Sequence, residues 1–379
     1  MNSVRSLYKK MTYKHKIFYT ILICCFIGSV FFVHNNYSFY DRPIAEVIKT
    51  NIEDVTKVED LINNEDVLYT QHIIAELKNG EEKGMEIHLI NEFSQSKALD
   101  NKFEVGNELL VSIDQNIDEG KERTGTIQGV KRDKYLVIIA WVFVFVLLLV
   151  GKKQGLLSVI SLVFTTTLLS FALDIYVHQS DQSLLWICGI CIILFTVVSL
   201  LLVNGLNEKT YAAIIATILG TFISLLITYL ALLVTGENGL RYEELQFITR
   251  PYKTVFMAGL FIGSLGAVMD VAITMSSSIF GLYEKDNNIS VQALIKSGME
   301  IGKDIMGTMT NILFFAYVSG SIPTLLLYFK NASPFGYTIS VNLSLEMARA
   351  LAGGIGIVIT IPIGLYTTIF FVNRKKARL

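Results

Sequence analysis

The sequence predicts a mostly helical membrane protein with about eight spanning helices and a small β-rich domain between the first and second. Three observations carry this. The chain is 52% hydrophobic and only 17% charged, with a mean hydropathy of +0.50, a balance that suits a multi-spanning protein. Apolar runs recur along residues 135–372, each able to cross roughly 30 Å of hydrocarbon, the run Tyr135–Val150 being slightly short. Residues 35–134 are soluble in character and carry glycine-marked turns.

Residues 1–16 hold Arg5, Lys9, Lys10, Lys14 and Lys16 and no acid. An apolar run over residues 17–34 follows, and its exit lacks a small-x-small cleavage site. It reads as an uncleaved anchor with the N-terminus cytoplasmic. In residues 35–134, the segments Ile44–Lys49, Gln71–Leu77, Met85–Ile90, Glu108–Ile113 and Thr126–Val130 alternate partly between apolar and polar. Gly80, Gly84, Gly106 and Gly125 mark turns. Five short strands in this length suggest an extracytoplasmic barrel of the OB or SH3 kind. His72 and His88 read as outward strand residues.

Residues 135–372 read as a seven-helix bundle: Tyr135–Val150, Leu156–Val177, Ser183–Val203, Tyr211–Val234, Thr254–Phe280, Asp304–Tyr328 and Leu345–Phe371. Lys152 and Lys153 fall in a cytoplasmic turn, and RYEELQFITRPYK reads as an amphipathic surface segment. Residues 283–303 read as a cytoplasmic connection. The tail, residues 373–379, is basic, so both termini are expected on the cytoplasmic side. Lys131, Arg132 and Lys134 at the outer end of the second span strain this topology, although long translocated domains obey the charge rule weakly.

The net charge of −1 argues against a nucleic-acid partner. The four cysteines, Cys24, Cys25, Cys188 and Cys191, all lie in apolar runs. The C-x-x-C spacing of the last two has no second ligand pair nearby and reads as buried thiols. No phosphate-cradling glycine motif, no H-E-x-x-H and no G-x-S-x-G is present, so no metal, no cofactor and no enzymatic activity is expected.

The chemistry concentrates in two spans. On the first, Gly259, Gly263, Gly266, Asp270, Thr274 and Ser277 share a face at spacings of three and four. On the second, Asp304, Gly307, Thr308 and Asn311 do the same, with Lys303 beside them and Gly298 and Gly302 one turn earlier. Small residues allow close helix approach in lipid, and polar residues in such a stripe need a partner. Asp270 lies about sixteen residues into its span, roughly 24 Å at 1.5 Å per residue. An ionised carboxylate there costs a few kcal/mol unless it is protonated, paired or bathed by a cavity. The expectation is one polar seam of Asp270, Lys303, Asp304, Thr308 and Asn311 that handles a proton or cation. The plain alternative is a helix-to-helix hydrogen bond from Asp270 to Thr308 or Asn311. Glu346 and Arg349, three apart, can pair at the start of the last span, and Pro362 should kink it.

The stretches GSLGAVMDVAITMSSSIFGL, SGMEIGKDIMGTMTNILFFAYVSGSIP and LEMARALAGGIGIVITIPIGLY resemble the YibE/F family of bacterial membrane proteins, as do the anchor and the GNELLV turn and strand. The resemblance implies a polytopic plasma-membrane protein with an extracytoplasmic domain after the first span, and supplies no activity. At the level of topology, anchor, outer domain and then a bundle with an Asp-bearing inward span, the chain is also similar to half of an RND-type permease, including the proton-driven Sec accessory proteins. Two extra spans, Tyr135–Val150 and Leu156–Val177, depart from that plan. Function is accordingly expected to be proton- or cation-coupled transport, or assistance to it. The rival is a membrane scaffold. Partners would be the lipid bilayer, and another protein or a second copy meeting the outer domain or the glycine-rich helix faces.

Overall fold

The structure is a computed structural model that describes residues 13–60, 63–97, 100–114, 123–178, 183–242 and 251–378. Most of the basic N-terminal segment and most of RYEELQFITRPYK lie outside the described residues. The chain forms two compact units, Met1–Val146 and Leu147–Leu379.

In the first unit, helix α1 (Tyr13–Asn35) runs through a 3-10 turn (Asn36–Phe39) into five strands: β1 (Ile44–Glu59), β2 (Glu65–Leu77), β3 (Glu86–Ser94), β4 (Glu108–Ile113) and β5 (Thr124–Val130). They close a barrel in the order β1-β2-β3-β5-β4. All pairs are antiparallel except β3 with β5. This is a five-stranded Greek-key barrel of the OB kind. Alternation builds it: Ile73, Ala75 and Leu77 of β2 point into a core with Ala45, Val47, Ile87, Leu89, Phe103, Leu109 and Val111. Gln71 is the buried polar member. Its amide donates to Thr50 Oγ1 at 2.5 Å and to the Phe103 carbonyl at 2.6 Å, and its Oε1 accepts from Phe103 N–H at 3.2 Å.

Strands β1 and β2 extend beyond the segments that alternation picks out, to Glu59 and back to Glu65. In this outer ribbon most of β1 is exposed on both faces, so no burial pattern marks it. Gly80 and Gly84 turn the chain at φ 81° and 87°. Gly125 is not a turn residue. It lies in β5, where a Cβ would stand 2.5 Å from the Ser112 carbonyl oxygen and 2.8 Å from Ile87 Cδ1. His72 and His88 are half-buried neighbours on β2 and β3, with ring centroids 5.5 Å apart.

The two apolar runs expected as separate spans are two helices that meet at Lys152, within the expected GKKQG turn, where the backbone is non-helical at φ 47°, ψ −119°; they are numbered together as α2 (Asp133–His178). The division between the two compact units falls within α2. Its first half packs on α1, where Trp141 Nε1 donates to Ser29 Oγ at 2.7 Å and Phe26 meets the rings of Trp141 and Phe145.

The second unit continues with α3 (Leu184–Asn204), α4 (Glu208–Thr235), α5 (Tyr252–Lys285), α6 (Val291–Lys330), α7 (Phe335–Asn342) and α8 (Ser344–Lys376). Helices α4, α5 and α8 pack on one another; α3 rests on α4 and α5, and α6 on α8 and α5. Glycines set the spacing: a Cβ at Gly220 would strike Thr360, and one at Gly356 would lie 2.9 Å from Val268 Cγ1's companion methyl Cγ2. Ser224 Oγ donates to the Ala352 carbonyl at 2.9 Å and Ser276 Oγ to that of Lys209 at 2.6 Å, tying α4 to α8 and α5 to α4.

Helix α6 begins at Val291 and not at Asp304. Ser290 caps it by accepting the Ala293 N–H at 3.2 Å, and its first turns bury Leu294 and Gly298 despite Lys296 and Glu300. Hydropathy marked only the apolar part of a longer amphipathic helix. The short helix α7 had no periodic signal. Seven helices among the described residues are long and apolar enough to cross a membrane. They leave side chains such as Trp186, Leu226 and Leu233 exposed, an exterior that fits a multi-pass membrane protein.

Candidate functional site

Helix α5 turns its bulky apolar residues inward. Phe261, Leu265, Val268, Ala272, Met275 and Ile279 are buried, whereas Gly259, Gly266, Asp270, Thr274 and Ser277 are exposed and Gly263 is intermediate. The small and polar stripe therefore faces out of the α4–α5–α8 core. Asp270 opens on a cavity of about 580 Å³. Ser158, Ser161, Thr165 and Thr166 of the second half of α2 and Ser199 and Asn204 of α3 line it among apolar side chains, the Ser158 and Thr165 hydroxyls donating to carbonyls of their own helix. Ser161 Oγ donates to Ser199 Oγ at 2.7 Å, which pins these two walls together. Among the described residues the Asp270 carboxylate has no hydrogen-bond or ion-pair partner.

The structure does not assemble the expected single seam. Lys303, Asp304, Gly307, Thr308 and Asn311 are exposed on α6. Thr308 returns its hydroxyl to its own helix, at 2.9 Å from the Ile305 carbonyl. Gly307 and Asn311 line a second cavity, of about 650 Å³, with Met347, Leu351, Gly354 and Val358 of α8. Asp270 does not line that cavity, and neither Thr308 nor Asn311 lines the one at Asp270. The physical cause is that α6 packs through Ile301, Ile305, Met309 and Leu313, so its polar residues point the other way.

The glycines divide similarly. A Cβ at Gly263 would strike Tyr317 Oη, one at Gly298 would strike Leu365 and Ile279, and one at Gly302 would strike Ile361, so these three do close helix contacts. Gly259, Gly266 and Gly307 have open space beside them, which corrects their expected packing role within the chain. Arg349 donates to Glu346, and its guanidinium lies 5.5 Å from the Phe256 ring centroid. Cys188 and Cys191 are buried beside Phe261 and Leu265. No group of residues able to hold a metal ion occurs among the described residues.

The first unit holds a charged cluster that sequence reasoning missed. Lys131, 2% exposed, donates to Glu108 Oε2 at 2.9 Å and to the Val33 carbonyl at 2.7 Å, and lies 3.1 Å from Asp133 Oδ1. Tyr37 donates to Glu108 at 2.8 Å; Tyr40 and Asn36 each donate to Asp133 at 2.9 Å. Asn79 holds the carbonyls of Tyr37, Tyr40 and Arg42 from the β2–β3 turn. The end of α1, the barrel and the start of α2 are thereby tied at one point. Burial, then the hydrogen bond to Asp133, pushes the Tyr40 phenol up to about 12. The only signal in the sequence was a basic triplet in an unfavourable place. A second barrel feature is a cavity of about 750 Å³ lined by Asp41, Arg42, Glu81, Glu82 and Asp114 among others.

Residues 139–374 match the family described as YibE/F-like protein, and residues 38–130 match the YibE/F family N-terminal domain. No curated protein and no solved structure matches the chain.

Proposed function

Since the chain belongs to the YibE/F family, we propose that it is a proton- or cation-coupled permease, or an energised assistant to transport, of the bacterial plasma membrane. Asp270 is the coupling acid. The observation that carries this reading is the unpaired Asp270 carboxylate facing a hydroxyl-lined cavity between apolar helices. An ionised carboxylate without a counter-ion is expensive within the hydrocarbon layer, and such residues mark ion pathways. Hydroxyls on α2 and α3 can pass a proton or replace the hydration shell of a small cation. The ion partners are Ser161, Thr165 and Ser199, in place of the α6 residues that the sequence suggested. In this reading residues 35–134 stand outside the membrane with both termini cytoplasmic, and the barrel cavity at Asp41 and Glu82 receives or guides substrate.

Ion flux into proteoliposomes tests it, under imposed pH, Na⁺ and K⁺ gradients. Flux in the parent protein that is lost in a well-folded Asp270→Asn variant supports the proposal. Equal flux in both refutes the role of Asp270. The second reading, a scaffold for another protein, is favoured by the open faces at Gly259, Gly266 and Gly307. It predicts no flux in either protein and a partner that cross-links to those faces or to the barrel.

A further inference from the structure

The cavity at Asp270 differs between its two ends. The hydrogen bond from Ser161 to Ser199 holds α2 and α3 at one level. Leu200, one residue on, shares an apolar cluster with Met269, Ala272 and Ile273, which sets Asp270 of α5 near that level. Toward the helix ends that the proposed topology makes cytoplasmic, Ser158, Val203 and Asn204 line the cavity. Asn204 is the last residue of α3. On α5 the exposed stripe continues in that direction through Thr274 and Ser277. Toward the opposite ends, Thr165 and Thr166 are followed by Leu169, Phe195, Ile262 and Leu265. Glycines continue the α5 stripe on this side, and Tyr317 of α6 fills the space at Gly263.

The apolar end is a thick seal. Phe195 and Leu265 are buried in one cluster with Cys188, Cys191 and Phe261, and Leu168, Leu169 and Ile262 pack against it. The cluster follows α3 from Phe195 back to Leu184, roughly 16 Å at 1.5 Å per residue, and holds no charged residue. Polar cavities hold water and apolar ones stay dry, and a dry apolar constriction stops ions. A carboxylate that cycles a proton or cation needs water on at least one side. We infer that in this structure Asp270 exchanges its proton or cation with the cytoplasm, and that the cluster around Phe195 is the gate that closes it from the outer side. The inference rests on the transport reading and the topology proposed with it; it adds the side from which the site loads and the residues that seal the other.

Thiol labelling of the full-length chain tests it, with the exposed Cys24 and Cys25 replaced by serine. The probe is a membrane-impermeant cationic methanethiosulfonate, applied to right-side-out and inside-out vesicles. Val105→Cys in the barrel and Lys376→Cys near the C-terminus, both exposed, report which face is which. Met269→Cys, beside Asp270 in the cavity lining, should react at least about tenfold faster from the cytoplasmic face than from the outer face, because only a hydrated thiol ionises and reacts. Cys188 and Cys191 should stay unlabelled from both faces. Adding Phe195→Ala, or Leu169→Ala if the first variant melts early, should raise labelling of Met269→Cys from the outer face. Equal or faster labelling of Met269→Cys from the outer face, labelling from neither face, or labelling of Cys188 or Cys191 from outside would each overturn the inference. So would a well-folded Phe195→Ala or Leu169→Ala that leaves the outer rate unchanged. Barrel and tail thiols on the reverse faces would overturn the topology and the inference together. Labelling needs no turnover, so the expected pattern without ion flux would refute the transport reading and leave the cytoplasmic access path standing.

Discussion

Lys131 Nζ sits 2.9 Å from Glu108 Oε2 with no side-chain surface left to solvent, and Glu108 is itself only 6% exposed. A basic residue that the charge rule would place at the membrane edge is instead the centre of the joint between helix and barrel. Its neighbours supply what such burial demands: two carboxylates, the Val33 carbonyl, and the rings of Tyr37 and Tyr40 at 5.2 and 5.9 Å.

Removing one member of this pair should be costly. Lys131→Met leaves Glu108 buried beside Asp133 with only Lys134, 3.9 Å away, as its cation, and a loss of about 3–5 kcal/mol is expected. Lys131→Met with Glu108→Leu should recover part of it, because the buried Glu108 charge is removed with its cation while Asp133 keeps the hydrogen bonds from Tyr40 and Asn36. Thermal unfolding of the solubilised full-length protein, with protease sensitivity of the barrel as readout, checks both.

Alkaline pH should loosen the same joint. An unfolded chain releases the Tyr40 proton near its ordinary value of 10.0, whereas the folded chain holds it to about 12. The stability this contributes is complete below pH 10 and is lost as pH rises toward 12. Tyrosinate absorbance should show one fewer late-titrating phenol in Tyr40→Phe, and that variant should lose less stability across the window.

Gly125→Ala should destabilise the barrel by about 1–3 kcal/mol, since the added methyl meets a backbone oxygen of β4 that pairing holds in place. Gly80→Ala offers a contrast: it meets no atom and suffers only from its positive φ. Chemical denaturation of the two variants separates close approach from backbone strain.

The two aspartates of the membrane helices should behave differently. Asp270→Asn is expected to abolish flux, whereas Asp304→Asn, which lies on the far side of the packed face of α6, should leave it within about twofold. Equal losses in proteoliposomes would mean that one pathway includes both residues.

Among the bundle glycines, Gly302→Leu should reduce stability by about 1–3 kcal/mol through the clash with Ile361. Gly266→Ala should be neutral or mildly stabilising for the chain itself. A loss of function or association in Gly266→Ala at unchanged melting temperature would locate a partner on that face.

Much of the helix pattern was legible because hydrocarbon imposes one requirement, length of apolar run, that needs no knowledge of neighbours. That requirement also misplaced the start of α6: Lys296, Glu300 and Lys303 are exposed, yet their helix buries Leu294, Gly298 and Gly302 on its other side. The β2 segment from Gln71 was legible from its alternation. The ribbon beyond it was not, since exposed strands carry no alternation. The stripe around Asp270 was visible as a stripe, but its direction was not. Close helix packing in lipid is satisfied by any glycine face, and here Gly220, Gly356 and Gly364 of other helices supply it at the core.

The sequence by itself determined the family, the class, the apolar helices and the two polar stripes, because hydropathy and local spacing are properties of a single segment. Only the tertiary structure decided that the barrel closes through a parallel β3–β5 pair, that Lys131 is buried, and that Asp270 shares a cavity with α2 and α3 while Asn311 shares one with α8. Each of these is a relation between segments far apart in the chain. Packing chose among arrangements with equally good local patterns, by burying bulk where glycine and serine left room.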